Sequence, residues 1–164
     1  MFSLLDKHPM IVDLPQALDF QPTKGELIFE NVNFSYDERQ ILRDVSFKVE
    51  AGKKVAVVGD SGAGKSTLIK LLFRFYDVDQ GAIKIDGQDI RHLTQDALRR
   101  AIAIVPQDTV LFNTSIRENI RYGKPDASEA EVDQVIKLAH LDSFIHSLPQ
   151  GDQTLVGERG LKVS

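Results

Sequence analysis

The chain has 164 residues, 42% hydrophobic and 27% charged, which predicts about one domain of ordinary globular composition. It contains no cysteine and no apolar run near the ~20 residues of a membrane-spanning helix, which excludes disulfides, cysteine-ligated metals and a spanning segment within it. Its 20 basic and 24 acidic residues are interspersed, with no basic run longer than Arg99-Arg100, so we expect no nucleic-acid partner.

Residues 1–24 are predicted to form a lead-in to the folded part of the chain. Prolines recur in it at Pro9, Pro15 and Pro22, and Gly25 follows it at a predicted turn. The first ten residues lack the basic and long apolar regions of a secretory signal, and they are not arginine-rich as a transit peptide is.

From Glu26, apolar and polar residues alternate in two runs, which is typical of half-buried strands. The apolar positions are Val32, Phe34 and Tyr36 in the first run and Val45, Phe47 and Val49 in the second. The polar connection 37–40 is too short for a helical crossover, so the two strands are predicted to pair antiparallel.

Two continuous apolar runs, 54–58 and 101–105, predict strands buried on both faces of a parallel sheet. Between them the pattern predicts a helix over 66–75, a small hairpin at 83–87 and a short helix over 94–100. Because the sequence offers no further strands to flank these two, we expect the sheet to expose an apolar edge, which favours aggregation.

The remainder of the chain is predicted to be helical. Ser128 and Glu131 have the spacing of a capping box, and a shorter helix is predicted from Asp142 to Leu148. The capping box is followed by an apolar face at Val132, Val135, Ile136 and Ala139. The histidines lack metal-ligand spacing, so no metal role is expected for His8, His92, His140 and His146.

Residues 59–66, Gly-Asp-Ser-Gly-Ala-Gly-Lys-Ser, match the phosphate-binding pattern G-x-x-x-x-G-K-[ST] between a predicted strand and an amphipathic helix. Glycines let the backbone wrap a polyphosphate, so that successive N–H groups and the helix N-terminus face its charge. Lys65 is predicted to bind the terminal phosphates and the Ser66 hydroxyl to bind Mg²⁺. The glycine order G-x-x-G-x-G does not fit a dinucleotide-binding fingerprint.

The sequence on both sides of this loop resembles the nucleotide-binding domain of ABC transporters along nearly the whole chain. The segment TLVGERG is typical of the exporter class, and the sequence of the matching stretches is most similar to the heavy-metal and mitochondrial iron–sulfur exporter branch. The matching stretches are FSYDERQILRDVSF at 34–47, GDSGAGKSTLIKLLFRFYD at 59–77, GAIKIDGQDI at 81–90, IVPQDTVLFNTSIRENIRYG at 104–123 and TLVGERGLKVS at 154–164.

The resemblance implies an α/β fold: a partial P-loop NTPase core with an N-terminal antiparallel β subdomain and a partial α-helical subdomain. Residues 1–24 would be a linker from a transmembrane domain, and residues 25–164 the N-terminal portion of an ABC ATPase domain. The expected parts of that portion are antiparallel β at 25–52, the P-loop core to the Q-loop at 53–112, and the partial helical subdomain at 113–164.

The resemblance also implies ATP and Mg²⁺ as cofactors. The implied nucleotide contacts are Tyr36, Gly59, Asp60, Ser61, Gly62, Ala63, Gly64, Lys65, Ser66, Thr67 and Gln107. Tyr36 would stack on adenine, whereas Ser66 and Gln107 would hold the metal. Lys65 and Gln107 would act in catalysis. The simpler alternatives are a strand-end tyrosine that packs on the sheet and a glutamine that merely follows a strand.

The family pattern continues past Ser164, which aligns with the first serine of the signature motif, so the resemblance describes a chain cut just before that motif. The family's Walker B aspartate, catalytic glutamate and histidine switch are not among these residues, so we expect this fragment alone to be inactive in hydrolysis. Glu158 and Arg159 match an exporter segment that contacts the transmembrane domain; the alternative is a solvated charge pair.

The expected partners are the transmembrane domain of an exporter and a second nucleotide-binding domain. They would make the protein membrane-associated, with this domain on the cytoplasmic or matrix face. Two other hypotheses stay open: a stand-alone module that holds nucleotide without turnover, and a different P-loop enzyme such as a small-molecule kinase. The flanking FSY and VPQDTVLF stretches argue against the kinase.

Overall fold

A computed structural model describes residues 11–60, 62–106, 110–157 and 160–161 of the chain, the last two as backbone. The chain forms two compact units that divide between Ile104 and Val105. In the ranges described, no helix has both the length and the apolar character needed to cross a membrane.

The first unit is built on a four-stranded antiparallel sheet. Its strands are β1 (Leu27–Tyr36), β2 (Arg39–Val49), β3 (Gln80–Ile85) and β4 (Gln88–Asp89), in the order β2-β1-β3-β4. The predicted β1–β2 pair and the predicted hairpin at 83–87 are both confirmed. The pairing of β3 with β1 was not predicted, because it joins segments that are distant in the sequence.

Two helices accompany this sheet, α1 (Lys65–Leu72) and α2 (Gln95–Arg100). Helix α2 begins as predicted, since the Thr94 hydroxyl accepts the Ala97 N–H at 3.2 Å. Helix α1 ends earlier than predicted because Arg74 has a left-handed φ of 52°. The Arg74 guanidinium is buried, where it donates to the Leu93 carbonyl at 3.1 Å and pairs with Asp77 at 3.0 Å.

The core of the first unit joins the sheet to both helices. Its most deeply buried side chains come from β1, β3, α1 and α2 and from the turn before α2: Val32, Ile83, Leu71, Leu98 and Leu93. Burial of each large aliphatic side chain contributes about 1.5–3 kcal/mol. This core therefore fixes helix α1, and with it the loop that precedes the helix, against the antiparallel sheet.

The two predicted buried parallel strands are wrong. Residues 53–60 and 102–106 have no regular secondary structure, and most of their apolar side chains are exposed: Val58 is 88% exposed and Val105 94%, whereas Ile102 packs against the core of the first unit. A parallel strand forms only when neighbouring strands accept its hydrogen bonds, and no described strand pairs with either segment. The predicted apolar sheet edge is wrong for the same reason, although Val58 and Val105 are themselves exposed.

The described part of the lead-in packs on the first unit. Leu18 donates its N–H to the His92 carbonyl at 2.9 Å and accepts the Thr94 N–H at 3.0 Å, and Phe20 is buried. The Asp86 carboxylate accepts the N–H groups of residues 23–26 at 2.7–3.2 Å. These bonds, the one from Lys24 foremost, hold the pKa of Asp86 well below its ordinary value.

The second unit consists mainly of short helices: α3 (Ile116–Arg121), α4 (Glu129–Leu138) and α5 (Asp142–His146). Strands β5 (Val156–Gly157) and β6 (Gly160–Leu161) pair beside them. The predicted capping box is confirmed, because Ser128 Oγ accepts the Glu131 N–H at 3.3 Å and the Glu131 carboxylate accepts the Ser128 N–H at 2.8 Å. Helix α3 was not predicted as a separate element.

The predicted apolar face of α4 is only partly correct. Val132 and Ile136 are buried against Ile145 of α5, but Val135 is 49% exposed and Ala139 also faces outward. The short helices α3 and α5 cover a narrow stripe of α4, so only the positions at the centre of the predicted face reach the core.

Arg117 ties α3 to the rest of the second unit. Its guanidinium pairs with Asp133 at 2.8 Å and Glu129 at 2.6 Å and also contacts Asp152. Hydrogen bonds to Asp133 and Asp152 raise the pKa of Arg117, and its bond to Glu129 lowers the pKa of that carboxyl. The side chain is only 12% exposed, which indicates a structural role.

Candidate functional site

Residues 59–64, called the phosphate-binding loop after the sequence pattern that they match, lead directly into α1. Lys65 reaches back over it, and its Nζ donates to the carbonyl oxygens of Gly59 and Asp60 at 2.6 Å each. Both acceptors are neutral, so the positive charge of the ammonium is hydrogen-bonded but not neutralised by these contacts. The first two residues of the loop thereby contact a cation.

Gly64 brings this loop against strand β2. It is the N-cap of α1 with a left-handed φ of 89°, a conformation that suits glycine. A Cβ built on it would lie 2.8 Å from Leu42 Cδ2 and 3.2 Å from Ile41 Cγ2. The side chains of Leu42 and Ile41 would have to shift to admit a methyl group, so the close approach and the left-handed φ together favour glycine where the loop meets the hairpin.

The start of α1 is electropositive. The first N–H groups of a helix have no partner within it, and they form the positive end of the helix dipole. No side chain caps this end, and its first turn contains no acidic residue. Together with the uncompensated charge of Lys65, this arrangement suits an anion.

A cavity of about 680 Å³ opens beside the loop. The β1–β2 hairpin contributes Tyr36, Arg39 and Ile41 to its lining, and the loop and helix contribute Gly62 and Gly64–Ile69. Val57 completes the described lining, which contains no carboxylate. The cavity therefore combines an apolar and aromatic wall with a cationic, amide-rich wall, as a site for a flat organic group attached to an anion does.

Tyr36 is held by other aromatic rings. Its ring meets Phe34 edge-on at 4.8 Å between centroids and Tyr76 edge-on at 5.1 Å. Lys70 Nζ lies 5.5 Å from its centroid. The ring packs on the sheet, as the simpler alternative describes, and it also lines the cavity, whereas its stacking on adenine stays a prediction.

Most of the sequence-predicted site residues lie together. Tyr36, Gly62, Gly64, Lys65, Ser66 and Thr67 line the cavity, and Gly59 and Asp60 bind Lys65. Ala63 lies within the loop, where its N–H donates to the Asp60 carbonyl at 3.2 Å. Ser61, Gln107, Glu158 and Arg159 are outside the described residues.

Arg39 and Ile41 line the cavity but were not predicted as site residues from the sequence. Both lie on β2 just past the turn that follows Tyr36, and Arg39 pairs with Tyr36 in the sheet. For Arg39 the signal is the hairpin register, because side chains of directly paired residues point to the same face. Ile41 has no direct partner, since the register shifts between Gln40 and Leu42, so the register alone does not identify it.

The residues present fit a hydrated Mg²⁺ better than a transition metal. The Ser66 hydroxyl, a hard oxygen ligand, lines the cavity beside Lys65. Within the described ranges, no cluster of three or more His, Cys, Asp or Glu side chains could hold a metal. Mg²⁺ commonly takes one or two protein oxygens and completes its coordination with phosphate oxygens and water.

Comparison with known proteins identifies several similar sequences. Residues 42–159 match the family model described as ABC transporter. The chain is 55% identical to an ATM1-type heavy metal exporter of Novosphingobium aromaticivorans and 53% identical to ATP-binding cassette sub-family B member 6 of Homo sapiens. It is 50% identical to the mitochondrial iron-sulfur clusters transporter atm1 of Aspergillus fumigatus.

Each of these matches covers the whole chain but only 20–27% of the relative. The chain therefore spans about a quarter of the length of the curated relatives it matches. Among solved structures, a bacterial Atm1-family ABC exporter with ATP bound matches with a TM-score of 0.91 and 55% identity. That match covers 99% of this chain and 29% of the exporter chain.

Proposed function

The chain belongs to the ABC transporter family, and from this premise we propose that it is the ATP-binding part of an exporter of the Atm1 and heavy-metal type. The observation that carries the proposal is one cavity with two different walls: Lys65 and the uncapped start of α1 form one wall, and Tyr36 lies on the facing hairpin. A nucleoside triphosphate has the matching chemistry, with a flat base at one end and a polyanion at the other.

We propose that the loop and α1 bind the phosphates. The Lys65 ammonium would exchange its two carbonyl acceptors for phosphate oxygens, which are stronger acceptors because they are charged. The N–H groups at the start of α1 would donate to the same anion. Gly59, Asp60, Ser61, Gly62, Ala63, Gly64 and Thr67 are proposed to shape this wall.

We propose that Tyr36 stacks on adenine at the other end of the cavity. Stacking of a base on an aromatic side chain contributes about 1–3 kcal/mol in nucleic-acid complexes. The edge contacts with Phe34 and Tyr76 hold the ring in place before a base arrives, which lowers the entropic cost of binding.

Ser66 and Gln107 are proposed to hold Mg²⁺, which when bound neutralises phosphate charge and polarises the terminal phosphate. Lys65 is proposed to stabilise charge on the transferred phosphoryl group, and Gln107 to orient the attacking water. Coupling of hydrolysis to transmembrane export is proposed for the whole protein of which this chain forms a part.

We further propose that these 164 residues bind ATP without turning it over. The described lining of the cavity has no carboxylate that could accept a proton from an attacking water. This observation also favours the second candidate function, a nucleotide-holding module. The two candidates share the binding site and differ only in what the bound nucleotide drives.

The proposed partners are the transmembrane domain of an exporter and a second nucleotide-binding domain. The protein is proposed to be membrane-associated, with this domain on the cytoplasmic or matrix face. The support is that two of the relatives named above are, by name, a heavy metal exporter and a mitochondrial iron-sulfur clusters transporter.

The test is isothermal titration of the full chain with Mg-ATP. Wild type should bind, and Lys65→Ala should lose roughly tenfold to 100-fold in affinity, because a charge-assisted contact contributes about 1.5–3 kcal/mol. Lys137→Ala, an exposed lysine on α4, is the control and should bind as wild type does. Absence of binding by wild type, or equal binding by Lys65→Ala, would contradict the proposal.

Phosphate release measured in the same samples tests the proposal that the chain binds ATP without turning it over. Equal, background-level release by wild type and Lys65→Ala is expected. Release by wild type that disappears in Lys65→Ala would mean that the chain turns ATP over, and would overturn the proposal of binding without turnover.

A further inference from the structure

Arg39 places a guanidinium beside Tyr36. It is the first residue of β2 and pairs directly with Tyr36 across the turn. Directly opposed residues of an antiparallel pair carry their side chains on one face, and both of these side chains line the cavity. The hairpin thus presents an aromatic ring and a planar cation, side by side, to the same space.

Building on the proposed function, we propose that Arg39 is a second contact for the base and ribose of the nucleotide, and that it helps the site to distinguish a nucleotide from a bare polyphosphate. Arg39 lies on the wall that carries Tyr36, whereas Lys65 lies on the wall formed by the loop and α1. Position on the hairpin assigns Arg39 to the end of the cavity that receives the base.

The guanidinium is available for a ligand. Arg39 is exposed, and it takes part in none of the ion pairs found among the described residues, although Asp37 and Glu38 precede it in the turn. In contrast, Lys65 is engaged with two carbonyls and Lys70 lies 5.5 Å from the centroid of the Tyr36 ring. Arg39 is therefore the positively charged residue of the hairpin that lines the cavity, and its N–H donors are available to a ligand.

The chemistry of arginine suits a purine nucleoside. A guanidinium is planar, stacks on aromatic faces and offers five N–H donors in a fixed fork, which ring nitrogens and ribose oxygens can accept. Lysine keeps the charge but has neither the plane nor the fork. Arg39→Lys therefore separates stacking and directed hydrogen bonding from simple electrostatic attraction.

The experiment is titration of the full chain with two ligands, Mg-ATP and Mg-tripolyphosphate, which share the phosphate chain but differ in the nucleoside. The variants are Arg39→Lys and, as the matched control, Arg43→Lys, an exposed arginine of the same strand that does not line the cavity. Both substitutions preserve charge, and thermal unfolding checks that both variants remain folded as wild type is.

We expect Arg39→Lys to weaken Mg-ATP binding about threefold to tenfold, the range of a partly exposed cation–π contact, with tripolyphosphate binding unchanged. Arg43→Lys should change neither affinity. Wild-type affinity of Arg39→Lys for ATP would overturn the inference, and so would an equal loss for both ligands, which would assign Arg39 to the phosphates. Failure of wild type to bind ATP at all would overturn the proposed function, and the inference with it.

Discussion

The close approach of Gly64 to strand β2 predicts a large and specific effect of adding one methyl group. Gly64→Ala would retain a left-handed φ of 89°, which costs an L-residue about 1–2 kcal/mol. Its Cβ would also lie 2.8 Å from Leu42 Cδ2 and 3.2 Å from Ile41 Cγ2. Overpacking of this kind costs about 1–3 kcal/mol, so we expect a total loss of about 2–5 kcal/mol in the stability of the first unit.

Gly52→Ala is the matched control. Gly52 has a φ of 71°, but a Cβ there would meet nothing within 4 Å, so only the backbone cost of about 1–2 kcal/mol applies. The difference between the two variants isolates the steric overlap. Hydrogen exchange of the core amides of Leu71 and Leu98 is the assay, because it reports on the first unit even where the two units unfold separately.

Trimming the contacted side chain provides a second check. By itself, Leu42→Ala lowers the stability of the first unit. In combination with Gly64→Ala, however, it removes Leu42 Cδ2, the nearer of the two atoms that the new methyl group meets. The double variant should therefore be at least about 1 kcal/mol more stable than the sum of the single effects predicts. Equal destabilisation by Gly64→Ala and Gly52→Ala, together with additivity in the double variant, would refute the steric account.

Three further predictions concern single side chains. Tyr36→Phe should bind Mg-ATP as wild type does in titration, because the ring is retained and its buried hydroxyl has no partner among the described residues, whereas Tyr36→Ala should lose about 1–3 kcal/mol of stacking. Hydrogen bonds from Lys124 and Ser128 lower the pKa of Glu131 to about 2, so its contribution to α4 is complete above its unfolded value near 4.5 and is lost as the pH falls from about 4.5 to 2. Circular dichroism across this range should show a smaller acid-induced loss in Glu131→Gln, and a loss equal to that of wild type would contradict the assignment. Asp86→Ala should abolish hydrogen-exchange protection of the N–H groups of residues 23–26, and retained protection would show that other contacts hold the lead-in.

The sequence predicted best the features that depend on neighbouring residues. The β1–β2 hairpin, the capping box at Ser128 and the start of α2 at Thr94 each follow from local alternation or local hydrogen bonding. The segments 54–58 and 101–105 were predicted wrongly because apolar composition alone does not make a strand. A strand also needs a paired neighbour, which local sequence does not specify.

The candidate site was predicted in the same uneven way. The motif specified the loop residues and Lys65, since a phosphate-binding loop is contiguous in sequence. It did not specify the contact of Gly64 with β2, which depends on how the hairpin packs against the loop, nor the place of Arg39 beside Tyr36, which follows from the hairpin register. Long-range packing therefore brings the hairpin to the cavity, and the hairpin register places Arg39 beside Tyr36.

The most direct test of the central claim is to map where ATP binds, by NMR of the full chain titrated with Mg-ATP. The account predicts that the largest amide shifts fall on Gly62–Thr67, together with a ring shift at Tyr36. Largest shifts elsewhere, for example in the second cavity of about 430 Å³ lined by Phe20 and Arg100, would contradict the assignment of the phosphate-binding loop as the site.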